Sequence, residues 1–177
     1  MNTTTSKYLE CRRHRGTSES ASEKIIKEYN EDLLRRYPWL RITSKYDYTG
    51  EFIDPDAYEY TWADAIPSGW RLAFGDQMIE ELDQLIKKYN VKDYSIDQIK
   101  EKFGELRWYD NGFPKEGRDE YNEWEDRYTE LSCKTCIRCG EPAKYLTKGW
   151  IMPVCKECLS RSTHTRKDAT PITVREG

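Results

Sequence analysis

An α+β fold is predicted by three features of the sequence. Apolar residues recur at spacings of three and four over residues 25–37, 78–89 and 121–131, the mark of amphipathic helices. Short aromatic and β-branched segments bounded by Gly, Pro and Asn lie around them and read as strands. Towards the C-terminal end, two CxxC pairs, Cys136/Cys139 and Cys155/Cys158, stand fifteen residues apart. The chain is thus divided into a flexible basic arm over 1–21, a small helical and short-strand domain over 22–132, a cysteine-built module over 133–160 and a polar tail over 161–177.

The first helix is expected from Ser22, as N-cap, along the stripe Ile25, Ile26, Tyr29, Leu33, Leu34 and Tyr37. Pro38 disfavours helical geometry at Tyr37 and ends it. Trp39–Thr43 reads as a short strand. Asp76–Tyr89 carries the clearest stripe, Met78, Ile79, Leu82, Leu85, Ile86 and Tyr89, with Asn90 suited to the left-handed position beyond its end. Ser95 and Gln98 match a capping box, which predicts a short helix through Phe103, closed by Gly104. Glu105–Tyr109 then reads as a strand entering a turn at Asp110-Asn111-Gly112. After Pro114, Tyr121, Trp124, Tyr128 and Leu131 mark a last helix with acidic outer faces.

A two-residue spacer lets both thiolates of one turn reach a single ion, and Gly140 directly after Cys139 supplies the relaxed backbone such a turn needs. Ala143–Thr147 and Trp150–Val154 form a hairpin around Lys148-Gly149 that returns the second pair to the first. Residues 133–160 therefore read as a zinc ribbon with Cys136, Cys139, Cys155 and Cys158 as ligands of Zn2+. Cys133 makes a third, overlapping CxxC. It either replaces Cys139 or is a spare thiol, and the Gly140 argument favours the spare. Four cysteines close a tetrahedral shell, the pattern of a structural site; a catalytic zinc keeps a position open.

Charge is segregated. Residues 46–130 hold ten Lys/Arg against twenty-two Asp/Glu, whereas 131–177 hold nine against four and 1–45 hold ten against six. An acidic centre between basic ends does not suit phosphate binding over the whole surface. Residues 46–69 carry six acidic residues, four Tyr, Phe52 and Trp62 without one Lys or Arg. Asp54, Asp56, Tyr58, Tyr60 and Trp62, with Glu123 and Glu125 on the last helix, are the candidate surface for a protein partner with a basic groove. The bland alternative is a loop whose aromatics pack on the core and a solvated helix face. Arg138, Lys144, Lys148 and Lys156 on the ribbon are the candidates for the rival class, a nucleic-acid-binding regulator.

Only His14 and His164 are present, and no P-loop, GxGxxG or HExxH motif occurs, so raw material for nucleophilic catalysis is poor. A non-enzyme is expected. The sequence has no apolar run long enough for a membrane span and no signal-peptide pattern, and clustered CxxC cysteines favour metal over disulfides in a reducing compartment. A cytoplasmic protein is expected.

Three motifs carry a resemblance. Gly69-Trp70 opens an apolar helix, Lys100–Tyr109 reads KEKFGELRWY, and Cys136–Gly140 is followed by Gly149-Trp150 leading to Cys155. In these the chain resembles a group of small, mostly uncharacterised bacteriophage and prophage proteins with a KEKFG-x-LR-[FWY] signature and a terminal four-cysteine ribbon. Glu105 stands where that signature has a second glycine, and residues 1–60 lie outside the likeness. The resemblance implies provenance alone, a phage-encoded protein working in the bacterial host cytoplasm. It is the acidic, aromatic centre over 46–130 that suggests binding and inhibition of a nucleic-acid-handling or defence machine as the most concrete role. Within KEKFGELRWY, Phe103 and Leu106, with Trp108, are expected to bury, Gly104 to turn the chain, and Lys100, Lys102 and Arg107 to lie outside. The alternative is a contact patch of these cations around an exposed aromatic.

Overall fold

A computed structural model describes residues 19–43, 60–162 and 169–172, and it is α+β as predicted. The chain forms two compact units, residues 1–65 and 66–177. No helix among the described residues is long and apolar enough to cross a membrane.

In the first unit, α1 (Glu19–Arg36) begins three residues before Ser22, which therefore lies inside the helix rather than capping it. Tyr29 and Leu33 are buried, as their spacing predicts. Pro38 does end the helix, but Pro38–Leu40 is a 3-10 turn, not the expected strand. Proline's fixed φ near −65° suits the first position of such a turn. Only Arg41 makes a strand-like contact, a single bridge to Thr61. The Asp64 carboxylate accepts from the Thr61 amide at 2.8 Å and from Asn30 Nδ2 at 3.1 Å, tying the turn Trp62–Ala65 to α1.

The second unit is built on α2 (Asp76–Lys88), β1 (Ser95–Lys102), β2 (Glu105–Asn111) and α3 (Arg118–Lys134). A short turn, Ser68–Trp70, and a π-helical segment, Arg71–Gly75, lead into α2. Met78, Ile79, Leu82 and Ile86 bury the predicted face of α2, and Asn90 adopts φ 50° beyond its end. The Val91 amide donates to the Ile86 carbonyl at 2.9 Å, closing the helix in a Schellman-type cap. On α3, Tyr121, Trp124 and Tyr128 are buried, while Leu131 is exposed and the small Ser132 is buried in its stead. Ser132 Oγ accepts from the Leu106 amide at 2.8 Å, so the last turn of α3 needs a hydroxyl where a larger side chain would collide with β2.

Residues 95–103 correct the sequence reading: Ser95–Lys102 form strand β1, paired antiparallel with β2, and Phe103 enters the turn between them, so there is no capped helix. A β-bulge between Ile96 and Gln98 explains why the pattern misleads. The extra residue lets Ile96 and Ile99, three apart, both reach the core, and a spacing of three imitates a helix. The strand also runs through Asn111, so the expected turn starts only at Gly112.

The core of this unit is aromatic. Trp108 and Trp124 meet edge to face with centroids 5.3 Å apart, Phe74 packs on Tyr128 at 5.6 Å, and Phe113 packs on Tyr121 at 4.6 Å. The polar tips of both tryptophans and of Tyr94 and Tyr121 are satisfied inside, whereas the Tyr128 hydroxyl is buried without a hydrogen bond among the described residues. Trp124 Nε1 donates to the Met78 carbonyl, Trp108 Nε1 donates to the Tyr94 hydroxyl, and the Tyr94 and Tyr121 hydroxyls both donate to Asp110 Oδ2. Burial, first of all, pushes the Tyr94 and Tyr121 hydroxyls well above the ordinary tyrosine value, so both remain donors.

Candidate metal centre

The first CxxC pair sits on a knuckle entered from the end of α3. Thr135 bridges Pro142, and the Cys136 amide donates to the Glu141 carbonyl at 2.7 Å. The chain then doubles back: the Gly140 amide donates to the Cys136 carbonyl at 2.9 Å, with Gly140 at φ 84°. That conformation is open to glycine at no steric cost, which is the reason a CxxCG pattern makes a tight turn. The second pair opens α4 (Lys156–Ser160), with Cys155 as its N-cap accepting from the Cys158 amide at 3.3 Å. Between them, β3 (Tyr145–Thr147) and β4 (Pro153–Val154) pair antiparallel, the hairpin that the sequence predicts. The Ile137 amide donates to the Pro153 carbonyl at 2.9 Å and locks the first knuckle to β4.

All four predicted ligand residues are thereby brought together, with their sulfurs within 4.8 Å of one another. Zinc–thiolate bonds of about 2.3 Å in a tetrahedron place the sulfurs about 3.8 Å apart. The Cys139–Cys155 sulfur separation of 3.6 Å fits such a shell. The group is positioned to hold a metal ion. Cys136 and Cys155 are buried, whereas Cys139 and Cys158 face partly outward. Burial raises the Cys139 and Cys158 thiols, and neighbouring sulfurs raise them further. Burial acts on Cys136 in the same direction but is outweighed by amides at Cys155, Arg138 and Cys139, which lower it. Crowded sulfurs that disfavour one another's ionisation are stabilised as thiolates by a cation among them.

Cys133 lies apart, on the last turn of α3, where its thiol donates to the Thr129 carbonyl at 3.4 Å. Burial, first, raises its pKa. His164 falls outside the described residues, as do Cys11 and His14.

Two supports of the centre were not anticipated. The Gly69 amide donates to the Ile137 carbonyl at 2.9 Å, and Trp70, fully buried, donates from Nε1 to the Thr135 carbonyl at 3.0 Å. The sequence marks Gly69-Trp70 only as a helix opening; nothing local in it points to residues 135–137. The other is β5 (Ala169–Pro171), which pairs antiparallel with β3 from within the segment expected to be a polar tail. Val154 and Leu159, with Ile137, Tyr145, Met152 and Ala169, pack around the two buried cysteines.

Of the candidate partner-binding residues, Asp54, Asp56 and Tyr58 fall outside the described residues. Tyr60 is exposed and Trp62 half-buried in the first unit; Glu123 is exposed and Glu125 half-buried on α3 in the second. Burial raises the Glu125 carboxyl above the ordinary carboxylate range, Asp110 and Asp126 push the same way, and Arg118 and Arg107 oppose them. Ionising Glu125 therefore costs the folded state more than the unfolded chain. Its stabilising contribution is complete below the unfolded pKa and is lost as pH rises through the raised folded value. Glu125→Gln is expected to raise the thermal midpoint at pH 7, an advantage that shrinks towards zero below about pH 4 in paired melting curves.

The four basic ribbon candidates are all exposed. Arg138 is on the first knuckle, Lys144 precedes β3, Lys148 is in the β3–β4 turn and Lys156 opens α4. No protein-family model, curated protein or solved structure matches the chain.

Proposed function

We propose that this chain is a non-catalytic interaction protein whose ribbon is held together by Zn2+ on Cys136, Cys139, Cys155 and Cys158. The observation carrying this reading is the closed donor set: four sulfurs within 4.8 Å of one another, on two knuckles packed into an apolar cluster. When bound, zinc contributes folding free energy here, and a shell filled by four thiolates leaves no position for an activated water. Function then belongs to surfaces. On α3, Glu120 pairs with Lys88 and Glu130 with Lys134, leaving Asp119, Glu123 and Asp126 exposed without an ion-pair partner among the described residues. These carboxylates in the second unit and, independently, Asp54, Asp56, Tyr58, Tyr60 and Trp62 in the first are the proposed acid and aromatic contacts for a protein with a basic groove. The resemblance to phage proteins supports looking for that partner in a bacterial cytoplasm, and the acidic, aromatic surface suits a nucleic-acid-handling or defence complex with a basic groove. Affinity capture with mass spectrometry tests it. Reversing Asp54, Asp56 and Glu123 to Lys is expected to abolish recovery of a specific partner, and unchanged recovery sinks the idea.

A second reading, a nucleic-acid-binding regulator, is supported by the exposure of Arg138, Lys144, Lys148 and Lys156, none of which has an ion-pair partner among the described residues. It predicts a gel shift weakened by salt and lost in Lys144→Glu with Lys148→Glu.

A further inference from the structure

Phe103 is the clearest departure from the buried role expected of it: its side chain is 69% exposed. It occupies the first central position of the two-residue turn joining β1 to β2, where Lys102 pairs with Glu105. Phe103 and Gly104 have φ 57° and 84°, the sign pattern of a type I′ turn. Such turns favour Asn-Gly or Asp-Gly, because a left-handed backbone is sterically costly for a bulky side chain. Phenylalanine here accepts that cost and recovers none of it through burial. Most of its ring is left facing solvent.

A second exposed ring belongs to the same place. A side chain on Gly104 would come within 3.5 Å of Ile151 and 3.3 Å of Pro153, so the hairpin tip abuts the β3–β4 turn. In that turn Trp150 is 72% exposed, and its Nε1 donates to Glu101 Oε2 at 3.0 Å. The other oxygen of Glu101 accepts from the Gly104 amide at 2.7 Å. One carboxylate thus ties the two turns together and orients an indole that it does not cover. Lys102 Nζ lies 5.6 Å from the Phe103 ring, Lys100 Nζ lies 5.0 Å from the half-exposed Tyr109 ring, and Lys148 flanks Trp150 in sequence. Within residues 98–107 and 148–152, the cations are Lys100, Lys102, Arg107 and Lys148 and the acidic residues are Glu101 and Glu105. Glu101 is engaged as described and Glu105 pairs with Arg107.

We infer that the β1–β2 tip and the β3–β4 turn form a stacking surface for single-stranded nucleic acid, with Phe103 and Trp150 as platforms and Lys100, Lys102 and Lys148 supplying charge to the phosphates. The inference rests on the nucleic-acid reading above and narrows it to one surface and one form of the polymer. Exposed rings interleaved with cations match the way sequence-tolerant single-strand binders hold bases and backbone. A protein interface centre is depleted in Lys, which this surface is not. A duplex hides the base faces that two exposed rings would stack on.

The test is a fluorescence-anisotropy titration of the full, zinc-loaded chain with a labelled oligothymidylate of about twelve nucleotides, and with a duplex of equal length. The expected result is saturable, salt-weakened binding of the single strand with quenching of tryptophan emission, and a duplex affinity lower by about tenfold or more. Phe103→Asn is expected to melt no lower than the parent, because asparagine suits the turn, yet to weaken the single strand by about tenfold. Trp150→Ala is expected to weaken it similarly. Equal binding of single strand and duplex, indifferent to Phe103→Asn, would leave the ribbon-charge reading standing and overturn this one. Absence of binding to either polymer overturns both. A large loss of stability in Phe103→Asn would make the ring structural and also overturn the inference.

Discussion

Cys136→Ser is expected to abolish metal binding and unfold the ribbon, the largest effect of any single change in the chain. Cys136 is fully buried at the entry of the first knuckle, in the apolar cluster that it shares with Val154, Cys155 and Leu159. A serine hydroxyl is a poorer ligand for a thiophilic ion and puts an extra polar group into that apolar cluster. Structural zinc contributes on the order of 10 kcal/mol where four thiolates hold it, so with zinc as the proposed ion its loss would remove most of what holds the two knuckles together. Elemental analysis should show one metal per chain in the parent and almost none in the variant. The thermal midpoint should fall by well over about 10 °C. Cys133→Ser is the control. Its thiol donates within α3 and lies outside the sulfur group, so metal content should stay unchanged and stability nearly so. Metal lost on replacing Cys133 but retained on replacing Cys139 would show that the ligand set is misassigned.

Gly69→Ala comes second. An alanine Cβ there would lie 2.2 Å from the Cys136 carbonyl oxygen and 2.6 Å from the carbonyl carbon of Ile137, all of it backbone with no side-chain freedom to yield. Either the Ser68–Trp70 turn or the knuckle must move. Movement breaks the Gly69–Ile137 bond and draws the Trp70 indole from the Thr135 carbonyl, leaving a buried donor unpaired. Overpacking of this kind together with an orphaned N–H costs about 3 kcal/mol or more. A lowered urea midpoint, with weaker metal retention against a chelator, is the expected pair of readouts. A loss of stability with metal retention untouched would show that the turn supports the core but not the centre.

What was legible in the sequence was legible for local reasons. The stripes of α2 and α3, Asn90 beyond α2, and the CxxC pairs all express themselves within a few residues, so spacing alone reveals them. Residues 95–103 were misread for an equally local reason: a bulge places Ile96 and Ile99 at a helical interval, and Ser95 with Gln98 happens to match a cap. Phe103 was expected inside as an aromatic at the end of that supposed helix, and its exposure on a left-handed turn shows otherwise. The support of the metal centre by Gly69 and Trp70 was illegible in principle. The bond from Trp70 reaches 65 residues along the chain, and no periodicity or spacing encodes a contact at that distance. Likewise β5 is a three-residue strand, too short to carry an alternating pattern.

The Trp70–Thr135 bond also imposes a timetable on biosynthesis. At about 5–20 residues per second, the ribosome delivers the acceptor several seconds after the indole. The second pair of sulfurs emerges later still, followed by the strand that covers the edge of β3. Throughout that interval a large aromatic that ends fully enclosed has no finished cavity to enter. A nascent chain that ends before residue 135 would therefore expose that indole, and metal binding, which needs the second pair of sulfurs, would come later still. Shortage of the ion would be felt first as aggregation of newly made chains, before mature molecules lost any of theirs.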